Sequence, residues 1–351
     1  MGIGGAEKLL VDTLPMYKLS DVELKVDLLL LNGKQTFFLD KLKSSFKGNI
    51  ISLSSGSVYN IWHIFKLCKH IKNYDIIHVH LFPSLYFVSI AKFLLNSKVK
   101  LIFTEHSTSN TRVESCIFRH IDRLIYRSYS LITAISPQVK DMLITKLKLR
   151  NRIDVIYNGI DLIKFKLAVS TKEHLVFDDL NAKILMQVSR FSVQKDQKTV
   201  IRAMCHLPFN VKLILVGDGE FKLACEQLVS DLELEERVRF LGARSDIPEL
   251  LKSCDIVVQS SIWEGFGIAA LEGMAAGKPV ISSDVPGLKN IVENAGILFK
   301  KGNDRELADI AIKLLRDKEY YSEVSAKCIN KAQEFDIRDM LKKFINLYGS
   351  I

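Results

Sequence analysis

Short apolar runs alternate with helix-period segments from one end of this chain to the other. In the first half the runs fall at Leu24–Leu30, Asn49–Leu53, Asp75–His80, Lys100–Thr104, Leu131–Ile135 and Ile153–Tyr157. In the second half they fall at Ile184–Val188, Lys212–Val216, Val238–Leu241, Asp255–Gln259, Pro279–Ser282 and Ile297–Phe299. From Asp304 onward the spacing is helical. Runs that are apolar throughout mark strands buried on both faces, and strands separated by helices pair in parallel rather than as hairpins. The pattern therefore predicts an α/β fold of two doubly wound, Rossmann-like domains, facing a cleft at the carboxyl ends of their strands. A length of 351 residues suits two domains with a core each. The stretch from Asn158 to Leu180 has weak periodicity and mixed polarity, and is placed as the linker.

Composition narrows the class. A hydrophobic content of 48% with 25% charged residues is that of an ordinary water-exposed globular chain. The longest apolar runs are far too short to span a bilayer. The chain opens on glycines that run into a helix pattern, which is not the layout of a signal peptide. Cys68, Cys116, Cys205, Cys225, Cys254 and Cys328 are scattered, with no C-x-x-C pair and no zinc-ligand spacing. They read as reduced thiols in a cytoplasmic setting, and no metal is expected.

Charge is uneven. Residues 1–170 hold 24 Lys and Arg against 13 Asp and Glu, whereas residues 171–351 hold 25 against 27. The excess is concentrated in Lys41–Lys47, Lys66–Lys72, Arg112–Arg127 and Lys140–Arg152, among interleaved Ile, Leu, Phe and Tyr. Such segments suit an anionic membrane surface or an anionic acceptor, and equally suit a solvated face on a basic protein. No recognition motif accompanies the charge, so nucleic acid is not expected as a partner.

The candidate chemistry lies in loops that follow strands. Glu264 and Glu272 bracket Gly265-Phe266-Gly267-Ile268, a glycine turn feeding a helix start after the Asp255–Gln259 run. Such a turn offers unpaired backbone N–H groups and a positive dipole end to a phosphate. Carboxylates beside it cannot bind the phosphate, but they can accept hydrogen bonds from ribose and sugar hydroxyls. A helix with capping acids gives the same local pattern. Arg190 follows the Ile184–Val188 run and Lys195 comes five residues later. Two cations there can clamp a diphosphate or make an ordinary surface pair. Gly217-Asp218-Gly219-Glu220 reads as a tight strand-to-helix turn, more structural than ligand-binding. Gly2-Ile3-Gly4-Gly5 opens a helix and permits close backbone approach to an anion. His106 follows a buried strand and should point to the cleft, although a lone histidine is more often a satisfied structural imidazole; His78 and His80 share one sheet face and are structural or cleft-lining.

Together these pieces resemble the retaining glycosyltransferases of family four, which have the two-domain GT-B fold. The resemblance rests on Gly2–Glu7, His78-Val79-His80, Thr104–Ser107, Ala134–Pro137, Val155–Asp161, Val188–Lys195 and Val216–Gly219. It continues through Phe240–Gly242, the Glu264–Glu272 segment and Gly277–Val280 with Pro286-Gly287. It implies an N-terminal acceptor-binding domain over 1–160, completed by a C-terminal helix at 335–351, and a nucleotide-sugar-binding domain over 161–334. It implies that Arg190 and Lys195 hold the diphosphate and that Gly4 and Gly5 approach it from the opposite domain. Glu272 would take the ribose, and Glu264 and His106 the donor sugar. Phe266, Gly267 and Ile268 would offer backbone N–H groups. Catalysis would fall to Glu264, His106, Arg190 and Lys195, without metal or other cofactor. The acceptor would be a saccharide or a lipid-linked group in surface polysaccharide or glycolipid synthesis. Base choice is expected near Ala243–Asp246 and acceptor choice near residues 106–120. A sugar-nucleotide epimerase or hydrolase of the same fold, or a binding-only homologue, would carry many of the same residues. One departure stands out: the family's first strand, which precedes the glycine loop, has no counterpart before Gly2, so a central strand of the first sheet is expected to be missing.

Overall fold

The computed structural model describes residues 4–19, 24–107, 115–170, 177, 179 and 181–351. The chain divides into two units: residues 1–159 with 337–351, and residues 160–336.

The first unit contains β1 (Leu28–Leu30), β2 (Ile50–Ser52), β3 (Ile76–His80), β4 (Lys100–Glu105), β5 (Leu131–Ala134) and β6 (Ile153–Val155). All pairings are parallel. β1 and β2 form one sheet, and β3 to β6 form another in sequential order. Among the described residues β1 pairs only with β2, and the outer edge of β3 has no strand partner. The expected run from Leu24 shortens to three residues, with Asp27 turned to accept from the Asn49 N–H at 2.8 Å.

The helix Ile337–Gly349 belongs to this unit. Its residues Ile337, Met340, Phe344 and Leu347 lie at helical spacing and are buried against Leu9, Ile102, Leu131 and Ile156. An apolar stripe of this kind stabilises a helix through packing more than through propensity. The helix Gly5–Thr13 sends Leu9 into the same cluster and Val11 into a second one with Leu14 and Leu42.

The second unit contains β7 (Lys183–Val188), β8 (Val211–Val216), β9 (Val238–Gly242), β10 (Ile256–Gln259), β11 (Val280–Ser283) and β12 (Ile297–Phe299). They make one parallel sheet in the order β12-β11-β10-β7-β8-β9. Every residue of β8, β10 and β11 is buried, as the unbroken apolar runs predict. Helices alternate with these strands along the chain, and the edge strands β9 and β12 are only half-buried.

Candidate active site

The strand order of the second sheet turns back between β7 and β10. From β7 the chain proceeds outward to β8 and β9, then returns to lay β10, β11 and β12 on the other side. Adjacent parallel strands whose connections leave in opposite directions open a crevice at their carboxyl ends, where such sheets bind ligands. The two loops at that point carry Arg190 to Lys195 and Ser260 to Glu264. Lys195 Nζ lies 2.5 Å from Glu264 Oε2, and Ser261 Oγ donates to the same oxygen at 3.1 Å. The Lys195 and Glu264 side chains are 20% and 15% exposed, so water screens the pair less than a surface pair.

Neutral side chains hold both loops. Gln187 Nε2 donates to Lys195 O at 3.0 Å, Gln197 Nε2 to Arg190 O at 2.9 Å, and Ser260 Oγ to Asp196 O at 2.8 Å. Between them Asp196 takes a left-handed conformation, with φ +46°. The loops are laced to each other: Ile262 N donates to Gln194 O at 2.8 Å, and Gln194 Nε2 to Trp263 O at 3.0 Å. Two glycine motifs supply close approach. A Cβ on Gly217 would lie 2.0 Å from Ser189 O, and one on Gly287 would lie 2.1 Å from Glu264 O. Gly217-Asp218-Gly219 is thus a packing turn against the Arg190 loop, and Pro286-Gly287 a support behind Glu264.

The helix Ile268–Ala275 starts at Gly267, which has φ +98°. Gly267 O accepts the Ala270 N–H at 3.0 Å, and the N–H groups ahead of it, at the very start of the helix, are those that helix geometry leaves to a cap or a ligand. Phe266 is buried and packs edge-on against Phe335, with ring centroids 5.7 Å apart. Its ring belongs to the core, and only its backbone can face a ligand. Glu272 is buried one turn into the helix. Gly273 beside it lets the helix lie close on β10, since a Cβ there would come 2.8 Å from Val257 Cγ1. Arg190 keeps apart from the Lys195–Glu264 pair: its guanidinium bonds Glu220 at 2.9 Å, with both side chains about three-fifths exposed.

The candidate residues of the first unit sit on a different kind of support. Glu105, buried at the end of β4, accepts the His106 and Ser107 N–H groups at 3.1 Å each. Its second oxygen accepts from Tyr126 OH at 2.7 Å. His106 Nε2 lies 3.0 Å from His80 Nδ1, and the His78 and His80 rings stack at 4.3 Å, as their shared sheet face predicts. His78 bridges Tyr348 OH at 2.7 Å and Thr104 Oγ1 at 2.6 Å, and Thr104 continues to Thr133 Oγ1 at 2.6 Å. His78 is therefore structural, tying the C-terminal helix to the sheet. All three rings are half-buried. Burial pushes His106 down to about 4 and His78 down to about 3, with His106 adding to the latter. Burial and the two neighbouring rings hold His80 well below the usual histidine range. The cluster is neutral near pH 7.

Gly4 is extended, with φ −86° and ψ 175°, and Gly5 opens the first helix. Gly4 O accepts the Lys8 N–H at 3.0 Å, so this backbone needs no left-handed freedom at Gly4. Gly2 and Ile3 lie outside the described residues.

Sequence reading passed over Gln187, Gln197, Ser260 and Glu105. The available signal was a polar side chain within, or just after, a buried apolar run, because a buried polar group needs partners.

Known proteins resemble this chain in sequence and fold. The profile of glycosyl transferases group 1 matches residues 174–335, and that of glycosyltransferase family 4 matches residues 4–164. N-acetyl-alpha-D-glucosaminyl L-malate synthase of Bacillus anthracis is 30% identical over 290 residues, covering 80% of this chain and 76% of its own. The UDP-Gal:alpha-D-GlcNAc-diphosphoundecaprenol alpha-1,3-galactosyltransferase of Escherichia coli is 28% identical over 303 residues, covering 81% of this chain and 77% of its own. The crystal structure of Anabaena HepE in complex with UDP and glucose superposes with a TM-score of 0.86 at 26% identity, covering 99% of this chain and 96% of that one. The chain belongs to glycosyltransferase family 4 and is a glycosyltransferase of the GT-B fold.

Proposed function

We propose that the protein transfers a glycosyl group, with retention of configuration, from a nucleoside-diphosphate sugar to a saccharide borne on a lipid. The observation that carries this reading is the Lys195–Glu264 pair at the β7/β10 switch point. A cation suited to a phosphate and a carboxylate suited to a sugar hydroxyl stand side by side there. A helix N-terminus opens beyond Glu264, and a second acid, Glu272, lies one turn into that helix. Relatives whose names specify diphosphoundecaprenol acceptors support a lipid-borne acceptor, and HepE bound to UDP and glucose supports a nucleotide donor.

In this reading Lys195 and Arg190 take the diphosphate, Glu272 the ribose and Glu264 the donor sugar. The N–H groups of Phe266, Gly267 and Ile268 take a sugar or phosphate oxygen, and His106 bonds the sugar as a neutral imidazole. Gly4 and Gly5 give close backbone approach. The bond from the anomeric carbon to the phosphate oxygen breaks as the acceptor oxygen attacks from the same face. The acceptor proton passes to the departing phosphate oxygen. Catalysis then consists of positioning and of stabilising charge on the leaving diphosphate, without a metal. The basic first half suits work at the cytosolic face of a membrane. No helix among the described residues is long and apolar enough to cross one.

The test is nucleoside-diphosphate release from a panel of sugar nucleotides, with and without lipid-extract acceptors, and proton NMR of the product's anomeric linkage. Acceptor-dependent release that collapses in Lys195→Ala and Glu264→Ala is the expected result. Unchanged turnover in both variants would remove the site. Release that ignores every acceptor would point to hydrolysis, and an inverted linkage would remove the retaining mechanism.

A further inference from the structure

Two separate contacts fix His106. Its backbone N–H and that of Ser107 donate to Glu105 Oε1, while Tyr126 OH holds the other Glu105 oxygen. Its ring is held by Nε2, which lies 3.0 Å from His80 Nδ1. Among the described residues no group bonds the remaining nitrogen, Nδ1.

His80 is a rigid partner. It follows His78 by two residues on β3, and the two rings stack at 4.3 Å with 30° between their planes. His78 is pinned at both nitrogens, by Tyr348 OH at 2.7 Å and by Thr104 Oγ1 at 2.6 Å. Thr104 lies beside His80 in the β3–β4 register and is bonded in turn to Thr133 of β5. The orientation of the His80 ring thus descends from three paired strands, and it reaches His106 as the direction of one hydrogen bond.

That bond couples the tautomers of the two rings. Both are neutral near pH 7, because burial holds them below the usual histidine range. Only one proton can lie between His80 Nδ1 and His106 Nε2. If His106 Nε2 carries it, each ring is protonated on Nε2 and His106 Nδ1 keeps a lone pair. The reverse arrangement protonates both rings on Nδ1, the tautomer that a free histidine side chain disfavours. An imidazole without such a partner would offer either nitrogen, as donor or acceptor, and would pay for ordering on every turnover.

We propose that His80 is a positioning residue for sugar transfer: it accepts the His106 Nε2–H and so leaves Nδ1 as the atom that accepts a hydrogen bond from a hydroxyl of the donor sugar. The proposal rests on the reading that His106 meets that sugar.

Long-range proton–nitrogen NMR of the histidine rings at pH 7 tests the bond without any substrate. His106 should show a protonated Nε2 and a bare Nδ1. The opposite pattern, or a ring averaging between the two, would overturn the proposal. Kinetics test the role. His80→Leu removes the ring nitrogens at similar bulk, and should lower kcat roughly tenfold with the KM for the acceptor unchanged. His80→Asn, whose amide reaches the place of Nδ1, should recover most of that loss. In a His106→Ala background His80→Leu should cost nothing more, since its effect runs through that ring. Full additivity of the two losses, or an asparagine variant as slow as the leucine one, would reduce His80 to a packing residue and overturn the proposal. Wild-type turnover in His106→Ala would sink the reading beneath it as well, whereas a slow His106→Ala beside an unimpaired His80→Leu would sink the proposal alone.

Discussion

The two units hold their candidate residues in place by different chemistry. In residues 160–336 the work falls to amides and hydroxyls: Gln187, Gln197 and Ser260 fasten the loop from Arg190 to Asp196. In the other unit a carboxylate and imidazoles share it: Glu105 accepts the His106 and Ser107 N–H groups, His78 joins Tyr348 to Thr104, and His80 meets His106. Amides and hydroxyls do not titrate in the range where proteins work, whereas imidazoles do. The first support should be indifferent to mild acid and the second should fail in it. The site proposed to hold the diphosphate is thus built on the pH-insensitive frame.

The largest effect expected is on chemistry in the second unit. Lys195→Ala should lower turnover by roughly 10²–10³-fold if it stabilises the leaving group, with the melting temperature nearly unchanged. A larger loss from His106→Ala would move the centre of the reaction to the first unit. Initial-rate measurements on both variants decide between them.

Acid should separate the units next. Unfolded histidines titrate near pH 6.5, but His78 and His106 in the folded chain titrate at about 3 and about 4. Above pH 6.5 neither state takes up these protons, and stability is flat. As pH falls from there toward 4, the unfolded chain binds protons that the folded chain refuses. Stability drops by up to about 1.4 kcal/mol per pH unit for each such ring. Asp196 in the second unit has the opposite sign, because burial raises its carboxyl and acid relieves that cost. Hydrogen exchange at pH 7 and pH 5 should show protection falling in β3 and the Ile337–Gly349 helix before it falls in β7 and β10. Loss at the same pH in both units would erase the contrast.

Backbone packing gives a smaller effect. Gly217→Ala sets a Cβ 2.0 Å from Ser189 O at a residue with φ +136°, so it should cost roughly 2 kcal/mol or more in a denaturant titration. The smallest is Tyr348→Phe. It removes the hydroxyl that meets Tyr17 and His78, and should cost about 1 kcal/mol, felt in the first unit alone.

Much of this was legible along the chain. Unbroken apolar runs located the strands of both units to within a few residues, because a strand buried on both faces has almost no polar choices. Gly217, Gly267 and Gly287 stood out because close approach or positive φ leaves few other residues possible. The anchors Gln187, Ser260 and Glu105 were harder to see. A polar residue at the end of an apolar run looks the same whether it meets solvent or, like Ser260, fastens a loop 64 residues away. Arg190 and Lys195 looked like one clamp by spacing, yet one pairs with Glu220 and the other with Glu264, since a short 3-10 turn and the left-handed Asp196 come between the first and the helix beyond the second.

Sequence by itself determined the order of strands and helices, the parallel pairing and the positions where only glycine fits, because these follow from local periodicity and sterics. Within Arg112–Arg127 it showed cations among interleaved apolar residues. Tertiary structure alone decided which face of the helix Cys116–Arg127 turns inward and which carboxylate meets Lys195. Periodicity gives a helix two faces without saying which one the rest of the chain will cover; that is settled by partners such as Glu105 and Tyr86, brought near by strands and helices distant in sequence.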